Sequence, residues 1–122
     1  MASAKILTND DINWLKQFQN DWDRFSFLHH SLTVTGGIDL NTISTAEYKQ
    51  LVEYFWADQQ FNILYNTWRA KEKNINTFYD WWRPSLDHLV PKSRGGLNTL
   101  DNFQFLTYYE NHNKLDMTWE EW

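Results

Sequence analysis

The sequence predicts an α+β protein that is mostly helical, with N-terminal helices packed on a small C-terminal strand–loop–strand–helix unit. Apolar residues recur at helical spacing through most of residues 8–73. Two short apolar segments, 86–90 and 102–107, flank a Gly-Gly loop, as two paired strands do. No repeat or linker-like tract interrupts the 122 residues. We therefore predict one domain, with residues 1–84 as an aromatic-rich helical scaffold, 85–116 as the candidate site and 117–122 as a tail.

The composition limits the chemistry and the compartment. Eight Trp, six Tyr and eight Phe predict a dense core, although such rings also stack on bases or anchor a partner. The absence of Cys excludes disulfides, thiolate zinc sites and Cys nucleophiles. A net charge of -5 predicts only modest non-specific affinity for DNA. No apolar run approaches a membrane span or a secretory signal, so we expect a soluble, cytoplasmic protein without a membrane partner.

The first helix is predicted over residues 8–25. Thr8 or Asn9 serves as its N-cap, and acidic residues occupy its first turn. The His29-His30 pair that follows has no carboxylate or Cys close by in sequence, which favours a packing or capping role over metal binding. Residues 31–43 break the helical pattern, and Leu32, Val34 and the Gly36-Gly37 pair indicate a short extended segment and a turn.

A second helical region is predicted over residues 45–73. Ser44 and Glu47 have the spacing of a capping box at its start, and a bend is expected near Asp58. The basic cluster at its end, Arg69, Lys71 and Lys73, is interpreted as a solvated face rather than a phosphate contact. A short helix is expected within residues 74–83, before Pro84.

The candidate site begins with the segment 86–90, which we predict to be a strand that Pro91 ends. A loop around Gly95-Gly96 leads to a second strand over 102–107 and a helix over 108–115. Strand alternation places Asp87 and His88 on opposite faces, so a site shared by both requires a local twist.

The polar residues of this unit are of the types that phosphodiester hydrolysis requires. His88 is able to accept a proton from water near pH 7. Asp87 and Asn111 supply an anionic and a neutral oxygen, both suited to Mg²⁺. Asn102 has a donor and an acceptor with which to hold the loop. Five further side chains are candidate DNA-phosphate contacts: Arg83, Lys92, Arg94, His112 and Lys114.

The order and spacing of these residues resemble the HNH motif of the His-Me finger (ββα-metal) endonucleases. That pattern is an Asp-His or His-His pair ending the first strand, a Pro three residues after the His, often Gly-Gly, an Asn before the second strand, and an Asn or His in the helix followed by Lys three residues later. The chain matches it, in an H-N-N version, at Asp87-His88, Pro91, Gly95-Gly96, Asn102, Asn111 and Lys114. The resemblance covers about a quarter of the chain.

The resemblance implies a divalent-metal-dependent DNA endonuclease, similar to phage homing or mobile-element enzymes. It implies that His88 is the general base, that Asp87 and Asn111 ligate one Mg²⁺ or Mn²⁺, and that Asn102 holds the loop carrying the base. Lys114 is implied to support the helix or the phosphate. The implied partner is DNA, together with a second copy of the chain or a phage protein, in the cytoplasm of a bacterial host.

Two departures from the family pattern refine this expectation. Many members carry Cys pairs that bind structural zinc, and this chain has none, so no structural zinc is expected. Leu115 stands where the toxin branch has a further His, which favours Mg²⁺ or Mn²⁺ over Zn²⁺. His112 points about 100° away from Asn111 around the helix and is expected to contact phosphate or solvent rather than metal.

Two other readings stay open at this point. The first is a non-cleaving HNH-fold module that binds DNA or serves phage packaging or replication, which the acidic balance and the aromatics favour. The second is a secreted nuclease toxin, which the missing His and the missing signal segment disfavour. In the tail, Thr118 is expected to cap one further helical turn.

Overall fold

The computed structural model describes residues 7–71, 80–114, 117–118 and 120–122. The protein is mostly helical with one two-stranded antiparallel sheet, which confirms the predicted α+β class. Helix α1 spans Asn9–Leu15, and a 3₁₀ segment, Lys16–Asp21, joins it to α2, Trp22–His30. The Thr8 hydroxyl caps α1 by accepting from the Asp11 N–H at 3.1 Å. Most of the short helix expected within residues 74–83 lies outside the described residues.

The helical backbone continues past α2 into a π-helical turn, Ser31–Thr35. The prediction of an extended segment at 31–35 was therefore wrong. Leu32 is buried in the core, and the Ser31 hydroxyl donates to the Phe27 carbonyl at 2.9 Å. Core packing at Leu32 thus overrides the weak helical preference of the Ser, Thr and Val residues in this turn.

The next two helices confirm the predicted cap and bend. Helix α3 spans Thr45–Ala57, and Ser44 and Glu47 form both bonds of the capping box. Asp58 is extended, with a ψ of 125°, and its side chain accepts from the Phe61 N–H at 3.0 Å. Helix α4, Gln59–Ala70, therefore starts anew at Asp58.

The sheet comes late in the chain. Strand β1 spans Pro84–His88 and pairs antiparallel with β2, Phe103–Thr107, which runs directly into helix α5, Tyr108–Lys114. The predicted first strand is shifted towards the N-terminus by two residues. Val90 was expected to end this strand, but its N–H and carbonyl form hydrogen bonds with the Asn102 side chain and not with a neighbouring strand.

The two faces of the sheet have different coverings. Phe105 contacts the rings of Phe55 and Phe61 at centroid distances of 5.1 and 4.7 Å, so this face packs on α3 and α4. Leu86 lies on the same face. A Cβ on Gly36 would be 2.5 Å from Leu86 Cδ2 and 2.7 Å from the Leu32 carbonyl oxygen, and the backbone contact makes glycine necessary here. Helix α5 covers the other face. None of the helices in the described ranges has the length and apolar character needed to cross a membrane.

Candidate active site

The strand register divides the candidate site into two halves. Asp87 pairs with Gln104 and His88 with Phe103, so regular pairing continues to the end of β1. Asp87 is buried and points towards α5, whereas His88 is half-buried with its ring against Phe103. The local twist that one shared face requires is absent at these two residues.

The Asp87 carboxylate is bonded at both oxygens. Gln104 Nε2 donates to one oxygen at 3.0 Å, and Lys114 Nζ donates to the other at 3.2 Å. Lys114 also donates to the His88 carbonyl at 2.9 Å, and its side chain is 0% exposed. The ammonium therefore links the carboxylate to the backbone of the next residue, inside the protein. Low polarity around such a pair makes each partner depend strongly on the other.

Asn111 lies one helical turn before Lys114 and faces the same strand. Its Nδ2 donates to the Ser85 hydroxyl at 2.9 Å and to the Leu86 carbonyl at 3.3 Å. Among the described residues, none donates a hydrogen bond to its Oδ1. The amide oxygen of Asn111 thus has acceptor capacity that no residue of the described ranges uses.

His88 is oriented by the loop that follows β1. Its Nε2 lies 2.7 Å from Asn98 Oδ1. Because an amide oxygen only accepts, this bond pairs with a proton on Nε2 and leaves Nδ1 as the basic nitrogen. The ring is fixed further by edge-on contact with Phe103 at 5.0 Å.

Asn102 closes the loop that holds His88. Its Oδ1 accepts from the Val90 N–H at 2.9 Å, and its Nδ2 donates to the carbonyls of Val90 and Leu97 at 3.0 and 2.9 Å. Its own carbonyl accepts from the Leu89 N–H at 2.9 Å. Asn102 therefore bonds the start of the loop to its end.

Two glycines allow the loop to turn. Gly95 has a φ of 88°, in the left-handed region that favours glycine. Gly96 packs so closely that a Cβ there would lie 1.7 Å from the Val90 carbonyl oxygen. The Gly-Gly pair thus has two separate causes, a backbone conformation at the first residue and a lack of space at the second.

The expected phosphate contacts do not form one group. Lys92 and Arg94 are exposed on the loop, where Arg94 forms an ion pair with Glu121. Hydrogen bonds from Thr118, together with Arg94, lower the pKa of Glu121 below its usual value. The two loop cations are accessible to a ligand.

The other three candidate phosphate contacts lie elsewhere. Arg83 and His112 are at the opposite end of β1 and α5, against the Tyr108 ring. The expectation that Lys114 contacts phosphate does not agree with its position, because its ammonium is buried and already bonded to Asp87.

The donor set for a divalent cation is small. Asp87 offers a hard anionic oxygen and Asn111 a free amide oxygen, which are donors that Mg²⁺ accepts. The Lys114 ammonium beside Asp87 already supplies positive charge to this carboxylate and would repel a second cation. Across the described ranges, no three His, Cys, Asp or Glu side chains are grouped so as to hold a metal ion. Both Asp87 oxygens already accept hydrogen bonds, so a cation bound by Asp87, Asn111 and water would have to displace Gln104 or Lys114 from the carboxylate.

Three contributors were not predicted from the sequence: Gln104, Asn98 and Ser85. Asn98 follows the Gly-Gly pair and resembles an ordinary turn residue. Gln104 is the polar residue between Phe103 and Phe105, so strand alternation with a known register would have placed it opposite Asp87.

An open depression of about 700 Å³ lies away from this site, between α3 and the segment before β2. Glu47 and Glu53 line it, together with Tyr54 and Leu100. Its two carboxylates make it unsuited to phosphate.

Comparison of the chain with models of protein families, with curated proteins and with solved structures found no match.

Proposed function

We propose that the protein is an HNH-type endonuclease that hydrolyses phosphodiester bonds in DNA with the aid of one divalent cation. The observation that carries the proposal is that Asp87, His88 and Asn111 belong to one β1–β2–α5 unit whose loop is closed by Asn102, although Asp87 and His88 lie on opposite faces of β1. The closer likeness to phage homing enzymes rests on the sequence motif alone.

In the proposed reaction, His88 Nδ1 accepts the proton of the attacking water. The bond from Nε2 to Asn98 holds the ring and disperses the positive charge that develops on it. Asn102 keeps the loop, and hence the base, in place. Asp87 and Asn111 would hold the cation, which supplies charge stabilisation for the phosphate oxygens. Lys92 and Arg94, which are exposed on the loop, would contact the DNA backbone.

A plasmid nicking assay with Mg²⁺ tests the proposal. Loss of general-base catalysis in His88→Ala is expected to slow nicking by about 10²- to 10⁴-fold. His30→Ala is the matched control, because His30 is an exposed histidine on α2. Cutting by the His88→Ala protein at the wild-type rate would remove His88 from the mechanism. Absence of cutting by the wild-type protein would remove the proposed activity.

A second candidate is a module of the same fold that binds without cleaving. The Asp87–Lys114 pair favours it, because a carboxylate already neutralised by a buried ammonium has less need of a metal. Calorimetry with Mn²⁺, with and without DNA, separates the two functions. Metal binding that is lost in Asp87→Ala supports the enzyme, whereas no binding in either condition supports the module.

A further inference from the structure

One surface of the protein carries aromatic rings that do not belong to the core. The exposed fractions of Tyr109, Trp82 and Tyr108 are 55%, 43% and 37%. Trp81 contacts Tyr108 at 5.3 Å and Tyr109 at 5.6 Å between ring centroids. We call this surface the aromatic patch. It consists of Trp81 and the rings that it contacts, Tyr108, Tyr109 and His112, together with Arg83 and with Trp82, an exposed ring adjacent to Trp81 in the chain.

Cations lie on the rings of the patch. The Arg83 guanidinium is 4.9 Å from the centroid of Tyr108, and the Lys71 ammonium is 4.0 Å from that of Trp82. Two carboxylates occur in the same segments. That of Glu110 is turned back to the Thr107 N–H and hydroxyl, while Asp80 is exposed. The patch therefore offers ring faces beside two permanent positive charges, with His112 adding an exposed imidazole.

This combination fits a nucleic-acid strand whose bases are unstacked. Aromatic rings stack on bases of any sequence, and neighbouring cations contact the phosphates. A duplex hides its base faces and is bound mainly through charge. With a net charge of -5 and two cations in the patch, charge alone gives little affinity. Stacking is the contribution that these residues are able to make.

The patch also lies along the same strand as the candidate site. Arg83 directly precedes β1, and Asp87 is four residues further, a separation of roughly 13 Å along the strand. That length corresponds to about four nucleotides at the close spacing of a duplex strand and to fewer in an extended single strand. A single DNA strand is able to span both.

We propose that the aromatic patch binds unpaired nucleotides a few positions from the phosphate to be cut, so that the preferred substrate is single-stranded or locally unpaired DNA. The proposal rests on the proposed nuclease function for the meaning of that phosphate. The binding itself is independent of cleavage.

Fluorescence anisotropy with a labelled twelve-nucleotide oligo-dT strand and a twelve-base-pair duplex tests the binding, with EDTA present. We expect the single strand to bind more tightly. We expect Tyr109→Ala to weaken that binding by about 5-fold or more, the loss of one stacked base. Tyr54→Ala is the matched control, because Tyr54 is 51% exposed on α3 and lies outside the patch. Thermal unfolding of both variants verifies that each is folded.

Salt dependence gives a second measurement. Two phosphate contacts predict a slope of log K against log salt of about -1.4 for a single strand. Equal binding of duplex and single strand, or equal effects of Tyr109→Ala and Tyr54→Ala, would overturn the proposal. Failure of both DNAs to bind would also overturn it and would point to a protein partner for the patch.

The outcomes distinguish this proposal from the proposed function. If the protein cleaves duplex DNA but does not prefer single strands, the proposed nuclease function stands and the proposed stacking surface is refuted. If the protein binds single strands through the patch but cuts no DNA with Mg²⁺ or Mn²⁺ supplied, the stacking surface stands and the nuclease function is refuted.

Discussion

Replacing Lys114 by Met is expected to destabilise the fold by about 3–5 kcal/mol, because it leaves a buried carboxylate without its counter-charge. The Lys114 side chain is 0% exposed and that of Asp87 is 5% exposed. Two hydrogen bonds disappear, and Gln104 is the donor to the carboxylate that remains among the described residues. The total stability of a chain of this length is roughly 6–18 kcal/mol. The substitution therefore removes a large part of it.

Urea unfolding at pH 7, followed by circular dichroism, measures this change. Lys92→Met is the matched control, because Lys92 is an exposed lysine on the neighbouring loop, and we expect it to change stability by less than about 0.5 kcal/mol. The midpoint should fall for Lys114→Met while the slope with urea stays the same.

A double-mutant cycle with Asp87→Asn separates charge pairing from packing. Each single variant leaves one buried group unpaired, whereas the double variant leaves a neutral pair. We expect the double variant to be more stable than either single variant. A loss below about 1 kcal/mol in Lys114→Met, or simple addition of the two single effects, would refute the buried pair. Asp87 would then be free for other ligands.

Three further perturbations test other parts of the structure. Gly96→Ala should destabilise the protein by about 3 kcal/mol or more and disturb the loop, because its Cβ would meet the Val90 carbonyl. Gly95→Ala should cost only about 1–2 kcal/mol, the strain of a positive φ. Thermal unfolding compares the two variants, and equal losses of stability would contradict these separate causes. Asn102→Ala removes three side-chain hydrogen bonds and should cost about 2–4 kcal/mol in urea unfolding; an unchanged midpoint would show that the loop closes without them. Burial, then the charge of the neighbouring histidine, lowers the pKa of His29, so the folded protein binds fewer protons there than the unfolded chain and stability should fall as pH falls below about 6.5. In His29→Gln, the melting temperature should depend less on pH between 7 and 5. An unchanged pH dependence would exclude His29 as the cause of the acid destabilisation.

The structural features that the sequence predicts correctly are those set by residues close together in the chain. Thr8 and Ser44 cap helices through residues three positions away, and Asp58 interrupts the helix through its own side chain. The loop of the site is also predicted from local sequence, because Gly95 and Gly96 follow the first strand after a few residues and indicate a turn. These features depend on neighbours in the chain, so spacing alone reveals them.

Features that depend on tertiary packing were missed. The π-helical turn at Ser31–Thr35 exists because Leu32 enters a core that includes the distant sheet. The pairing of Asp87 with Lys114 joins residues 27 apart and requires α5 to lie on one face of β1. Gln104 reaches Asp87 only in the observed register. Spacing does not specify such contacts between separate elements.

The packing of Phe105 between Phe55 and Phe61 has a consequence for biosynthesis. The ribosome delivers the helices first, and about 2–9 s pass before the partner ring is made. During that interval the two Phe rings lack the strand that covers them, so the unfinished chain exposes apolar surface that promotes association with other proteins. A nascent polypeptide stalled before residue 103 should therefore bind chaperones more strongly than the finished chain.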